Sequence, residues 1–271
     1  MSDKLIEPTE IKEMVRARYG SIAARADASC CAPATTSCCE TAVAPALDDK
    51  AREMGYSAEE LAAVPEGANL GLGCGNPQVI AAIKSGEVVV DLGSGAGFDC
   101  LLAARQVGPI GRVIGVDMTH EMLRRARENA AKVGAANVEF RLGELEHLPI
   151  ADNTADVIIS NCVVNLVPDK AQVFREAFRV LKSGGRVAIS DVVNIAPLPE
   201  DLSADPALLC GCVAGAISAE RAESLLGEAG FVDVTVVVKP DSREIVAGWA
   251  PGRGIEKCVA SAMIEARKPN A

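Results

Sequence analysis

Three cysteines stand where a substrate pocket would lie: Cys74 in GLGCGNP, Cys162 in IISNCVVNLVPDK and Cys212 in CGCVAGA. A thiolate is a soft nucleophile and a soft ligand. These positions therefore point to metal or metalloid binding, redox exchange or catalysis. Cys162 follows an apolar run that reads as a buried strand, and nothing in secondary structure asks for a thiol there. Gly and Pro flank Cys74, which favours a rigid loop over a slot in the core. The chain has only two histidines, His120 and His147, which argues against a histidine-rich metal site.

The composition bounds what can hold these thiols. The chain has 271 residues, 49% of them hydrophobic and 3% aromatic, so its core must be built from Ala, Val, Leu and Ile. A net charge of −10 argues against nonspecific binding to nucleic acid or to anionic membranes. The start, MSDKLIEPTEIKEMVRARYG, lacks the apolar centre of a signal peptide. No run of about 18 apolar residues suggests a membrane span. A cytoplasmic location is expected. Ten cysteines in that compartment are not expected to form a disulfide framework.

The elements follow from periodicity. Ile11, Met14, Val15, Tyr19 and Ile22 recur at helical spacing over 8–24. Residues 28–47 have no period and carry two adjacent pairs, Cys30–Cys31 and Cys38–Cys39, so a mobile segment is expected. Ser57 and Glu60 form a capping box for a short helix over 57–63. VVVDLG, from Val88, suits a buried parallel strand, and a helix over about 98–107 follows its glycine turn. RVIGVDM (112–118) is a second strand. Thr119 can cap the next helix, with a stripe of Met122, Leu123, Ala126, Ala130 and Val133 ended by Gly134. NVEFRL, ADVIISN and GRVAISDVV (185–193) are further strands, and a helix over 169–181 precedes the last.

This alternation predicts an α/β fold with a parallel doubly wound sheet. Residues 196–271 offer one helix near 218–229 and strands near 232–238 and 258–265. That is too little for an independent core, so a small α+β cap is expected. The units are then 1–50, 51–195 and 196–271.

The turn Asp91-Leu92-Gly93-Ser94-Gly95-Ala96-Gly97 lets a ligand approach the backbone closely. Its third glycine comes one residue too early for the dinucleotide spacing. Asp91, just before the turn, would repel a pyrophosphate and suit a cation. Asp117, followed by Met118, ends the second strand where a carboxylate can accept both ribose hydroxyls. Together these features look like the S-adenosylmethionine (SAM) site of Rossmann-like methyltransferases. Leu145 and Glu146 then fall where that class holds the adenine, and Asn161 faces the methyl donor. The bland alternatives are a purely structural turn and, for Glu146, a solvated surface acid.

Thiols from three separate segments could converge over such a cofactor. Trivalent arsenic is pyramidal with one lone pair, so it needs three soft donors and an open face. Zinc prefers a closed set of four, commonly with C-x₂-C spacings that are absent here. At this point the chain resembles the arsenite SAM methyltransferases. The matching strings are VRARYG, NLGLGCGNP, DLGSGAGFD, VIGVDMT, SNCVVNLVPDK, VLKSGGRVAISDV and CVAGA, which cover nearly the whole chain.

The resemblance implies that Cys74, Cys162 and Cys212 bind As(III). It also implies that an upstream cysteine takes part in disulfide exchange. Cys39 is the choice among four candidates, Cys30, Cys31, Cys38 and Cys39. Neighbouring cysteines have Cα atoms about 3.8 Å apart, below the usual disulfide range, so each is expected to reach elsewhere. Cys210 has no counterpart in the family pattern. The substrate is then arsenite or its thiol complexes, and a thiol reductant of the thioredoxin or glutathione type supplies electrons. The biological role is arsenic detoxification, and a monomer is expected. Two alternatives remain open. One is a SAM methyltransferase for a small organic metabolite, which would need a general base or an apolar organic pocket. The other is a thiol-rich binding protein without catalysis.

Overall fold

The computed structural model describes residues 7–25 and 43–270. Helix α1 (Pro8–Arg25) and helix α2 (Val43–Glu53) precede the short helices α3 (Ala58–Ala62) and α4 (Gln78–Ala81). Then strands and helices alternate: β1 (Val88–Leu92), α5 (Phe98–Val107), β2 (Arg112–Asp117), α6 (His120–Lys132), β3 (Val138–Leu142), β4 (Ala155–Asn161), α7 (Lys170–Val180) and β5 (Leu181–Asn194). The chain closes with α8 (Glu200–Ser203), α9 (Pro206–Leu209), β6 (Ile217–Ser218), α10 (Ala219–Glu228), β7 (Val232–Val238), α11 (Arg243–Ala247) and β8 (Val259–Arg267).

The sheet order is β3-β2-β1-β4-β5-β8-β7, with β6 beside the end of β5. Strands β1 to β5 are parallel, whereas β8 runs antiparallel to both β5 and β7. Alternate side chains leave opposite faces of a strand, and both faces here are covered by helices. Val90, Leu92, Ile158 and Ile189 pack with α7 and α10 through Phe174, Ala177, Leu225 and Leu226. Val89, Val113, Val157 and Ile159 pack on the other face with α5 and α6 through Leu101, Ala104, Leu123 and Ala126. A Rossmann-like parallel sheet is thus present where the alternation placed it.

The differences have physical causes. Helix α2 starts at Val43, inside a stretch expected to be aperiodic, since Pro and Ala obscure its pattern. Val133 ends α6 half-exposed rather than within the apolar stripe, because it lies beyond the last turn. The C-terminal strands form no separate layer: β8 pairs with β5 along nine residues, from Arg186↔Arg267 to Asn194↔Val259. An antiparallel strand needs no crossover helix, so only its hydrogen bonding to β5 and β7 reveals its place inside the sheet. Ser57 caps α3 as expected: Ser57 Oγ accepts from Glu60 N, and Glu60 Oε2 accepts from Ser57 N at 2.7 Å.

Candidate functional site

The carboxyl ends of β1, β2 and β4 open into one cavity, which encloses about 1170 Å³ including its mouth. Ligands bind such sheets where the strand order reverses, here between β1 and β4. The glycine turn forms the floor. Gly93 and Gly97 have positive φ, and a Cβ on Gly93 would sit 2.5 Å from the Val163 side chain. Any larger residue would close the passage between the turn and the segment after β4.

All the residues expected to hold a cofactor line this cavity: Asp91, Gly93, Gly95, Asp117, Met118, Leu145, Glu146 and Asn161. Asp117 is fixed by the backbone, with its carboxylate accepting from Gly95 N at 3.0 Å and Thr119 N at 2.8 Å. Asp91 accepts from the Cys100 thiol at 3.2 Å. Burial pushes Asp117 above the ordinary carboxylate range, and burial with the neighbouring Asp99 charge pushes Asp91 well above it. Burial also raises Asp99, against the hydrogen bonds from Tyr56, Asn161 and Gln78. Among the described residues, no lysine or arginine is among the largest influences on these three acids. A cationic ligand would supply the missing positive charge. The Ser94 hydroxyl in the turn is buried with no partner among the described residues. This donor set suits SAM, which carries a sulfonium, an ammonium and a ribose but no phosphate.

Glu146 is no surface acid. It is 6% exposed and pairs with Lys12 of α1 at 3.0 Å, while Lys12 also binds Glu144 at 2.7 Å. Helix α1 is thereby pinned across the cavity, and its Val15 and Tyr19 join the lining. Lys12 gave no signal in sequence, since a lysine on an amphipathic helix usually faces solvent.

The thiols meet on the far side of the cavity. Cys74, Cys162 and Cys212 all belong to one buried cluster, with exposures of 2%, 5% and 2%. Cys162 lines the cavity. The Cys74 Sγ is 3.7 Å from Ser190 Oγ, and the Cys212 thiol donates to the Cys162 carbonyl at 2.7 Å. Cys162 and Cys212 both hold left-handed backbone, with φ of +58° and +64°. A non-glycine residue is strained there, and such strain collects at functional sites. Hydrogen bonding with Cys212 and Cys74, together with burial, pushes the Cys162 thiol well up. For Cys212 the bond to Cys162 acts downward, but burial and the Asp191 charge leave it raised.

The glycines around Cys74 are spatial requirements. A Cβ on Gly75 would collide with Ser190 Oγ, and one on Gly73 would lie 2.8 Å from Asn161 Nδ2. The Cys74 loop therefore lies flat on β4 and β5.

Asn161 ties the two walls together. Its Nδ2 donates to Tyr56 Oη at 2.9 Å, to Gly75 O at 2.8 Å and to Asp99 at 3.2 Å. Its Oδ1 accepts from Cys74 N at 3.0 Å. Tyr56 in turn donates to Asp99 at 2.8 Å. Asn161 was expected to face the methyl donor, and it does border the cavity, yet its amide is engaged in holding the Cys74 loop. Tyr56 and Asp99 lacked any sequence signal, because they act through this tertiary network.

Cys210 caps the end of α9, and its carbonyl accepts from Tyr19 Oη at 3.4 Å. Cys39, with Cys30, Cys31 and Cys38, lies outside the described residues. The six described cysteines are buried and free of disulfides. No helix among the described residues is long and apolar enough to cross a membrane.

Comparison with known proteins agrees with this geometry. Residues 83–230 match a methyltransferase domain family. The chain is 51% identical to an arsenite methyltransferase of Halobacterium salinarum, over 97% of this chain and 68% of that one. It is 34% identical to the human arsenite methyltransferase, over 83% of this chain and 59% of that one, so it spans about three fifths of the human relative. The crystal structure of an arsenic (III) S-adenosylmethionine methyltransferase from Chlamydomonas reinhardtii superposes with a TM-score of 0.59, at 32% identity, covering 84% of this chain and 74% of that one. A sheet opening onto a cationophilic cleft, three buried thiols at its edge and relatives of this similarity agree: the chain belongs to the arsenite methyltransferase family of SAM-dependent enzymes.

Proposed function

We propose that this chain moves the methyl group of SAM to trivalent arsenic held by Cys74, Cys162 and Cys212. The observation that carries this reading is the gathering of three thiols from three separate segments in one buried cluster beside the cavity. When bound, SAM supplies an electrophilic methyl group on a sulfonium. In this reading Asp117 takes the ribose hydroxyls, and the raised carboxylates of Asp91 and Asp99 suit the cationic end.

Arsenite is neutral, and each thiol that binds it replaces one hydroxyl. The thiol proton leaves with that hydroxyl as water, so three sulfur–arsenic bonds form without net proton release. The arsenic lone pair carries no proton, so methylation of it asks for no general base, and none is present as histidine among the cavity-lining residues. The main contribution of the chain is positioning, which is worth effective molarities of about 10⁵ M or more when reactants are aligned. Helix α1, clamped by Lys12, forms part of the cavity wall.

Methylation takes arsenic from the trivalent to the pentavalent state. Two electrons then return it to the trivalent state, and a thiol pair supplies them by becoming a disulfide. Cys39 exchanging with Cys74 fits that step, with a reductant of the thioredoxin or glutathione type restoring the thiols. A cytoplasmic monomer acting in arsenic detoxification completes the reading.

Incubating the reduced protein with arsenite, SAM and a thiol, then separating arsenic species by chromatography with elemental detection, tests it. Methylated arsenic from the natural chain and about 10²-fold less or none from Cys162→Ser is the expected outcome. Bound SAM with no methylated arsenic would contradict it and favour an organic acceptor.

A further inference from the structure

Zinc-like cations are disfavoured in the sequence by the absence of C-x₂-C spacings, but the fold supplies a donor that spacing does not reveal. The ligand atoms of Cys74, Cys162 and Asp191 all lie within 4.8 Å of one another, and all three residues are buried. We propose that Cys74, Cys162 and Asp191 form a binding site for a soft divalent cation of the cadmium and zinc class, overlapping the arsenite site.

The register of the sheet explains the set. Asn161, the last residue of β4, pairs with Ser190 of β5, so Cys162 just past the end of β4 comes beside Asp191, which lies within β5. The Cys162 N–H donates to the Ser190 carbonyl at 2.8 Å, which fixes their spacing. The Cys74 loop is then laid over both strands by Asn161.

The carboxylate is oriented as a ligand would be. Asp191 Oδ1 accepts from Asn165 Nδ2 at 2.9 Å and from Val192 N at 2.7 Å. Oδ2 accepts a longer bond, from Asn165 N at 3.3 Å. Carboxylates that bind metals are themselves usually held by such outer hydrogen bonds. Bonds of about 2.0–2.3 Å put the donors of a tetrahedral site roughly 3.5 Å apart, so the ligand atoms, all within 4.8 Å of one another, must draw closer to hold an ion. Cys212, whose thiol reaches the Cys162 carbonyl, stands ready as a further sulfur.

Charge separates the two ligands. Two thiolates and the carboxylate carry three negative charges, the cation carries two positive charges, and Lys170, bonded to the carbonyl of the Asn165 that holds Asp191, adds one more. The buried set is then neutral. Arsenic on three thiolates is neutral by itself and leaves Asp191 and Lys170 to balance each other. The dication needs Asp191 and the arsenic does not. Cation binding turns two thiols into thiolates and releases two protons to solvent, with no electron transfer.

This inference rests on the proposed arsenite site only in sharing Cys74 and Cys162 with it. The test uses the full chain with Cys30→Ser, Cys31→Ser, Cys38→Ser and Cys39→Ser in every arm, so that the N-terminal thiols capture nothing. Cadmium chloride is titrated under reducing conditions, read by the ultraviolet sulfur-to-cadmium charge-transfer band, and arsenite binding is measured separately by dialysis with elemental detection. Asp191→Asn should weaken cadmium binding by about tenfold or more, the size of effect seen when groups of a metal site are lost, and shift arsenite binding less than about threefold. An unchanged cadmium affinity, or equal losses for both ligands, would overturn the proposal. Cadmium-113 NMR of the chain retaining Asp191 reads the donor set directly and does not depend on how the variant folds. A mixed sulfur–oxygen resonance supports the site and an all-sulfur one refutes it. Cadmium binding without arsenite binding would leave this site standing and remove the arsenite reading, and the reverse would do the opposite.

Discussion

The two walls of the cavity are built by different means. On the cofactor side, residues 91–97 form one continuous turn, and Asp117 follows at the end of the adjacent strand. On the thiol side, Cys74, Cys162 and Cys212 come from a loop before the sheet, the end of β4 and the segment after α9. Local chain geometry makes the first wall. Tertiary packing makes the second, and it stores strain in Cys162 and Cys212. Asn161 belongs to both, since it borders the cofactor cavity and holds the Cys74 backbone. A cofactor turn can thus serve many chemistries, while the acceptor is decided by side chains gathered from elsewhere.

Separating the walls by substitution gives the largest expected effect. Cys162→Ser should lower methylation by about 10²-fold or more, the loss expected when a reactant is no longer held in line. SAM binding by dialysis should stay within about threefold of the natural chain. A parallel loss of SAM binding would mean that the walls are not separable.

Asn161→Ala breaks the residue they share. It removes three donated and two accepted contacts in a buried network, and buried polar groups left unpaired cost about 1–3 kcal/mol each. Both SAM affinity and arsenite affinity should fall, by about tenfold each on that scale. Calorimetric titration of each ligand checks this, and a loss confined to one ligand would show that Asn161 serves one wall alone.

Asp117→Ala should act on the cofactor wall only. Hydrogen bonds to charged groups contribute about 1.5–3 kcal/mol, so SAM binding should weaken by about tenfold or more while arsenite binding holds. Ser57→Ala, outside both walls, removes the cap of α3. Loss of such a cap costs about 1 kcal/mol. Thermal unfolding should shift down by a few degrees, with both affinities unchanged.

The same division marks what was legible in the sequence. Strands β1 to β4 and helices α5 to α7 carry strong periodicity, because buried parallel strands are continuous apolar runs and their helices have one apolar stripe. The glycine turn is contiguous, so its chemistry is readable from residue types and spacing. Cys74, Cys162 and Cys212 stood out by residue type alone, being thiols where the fold asks for none. Tyr56, Asp99, Lys12 and Asp191 were invisible, since each acts through a partner 40 to more than 130 residues away or on a neighbouring strand. The pairing of β8 with β5 was hidden for the same reason: hydrogen bonding between strands leaves no mark on either strand's own pattern.

The central claim is that three thiols from three segments hold one arsenic atom at the cavity's edge. X-ray absorption at the arsenic edge, on reduced protein loaded with one equivalent of arsenite, counts the sulfur neighbours directly. The account predicts three sulfurs in the natural chain and two in each of Cys74→Ser, Cys162→Ser and Cys212→Ser. An oxygen-rich shell in the natural chain, or a count that survives any of these substitutions, would contradict it.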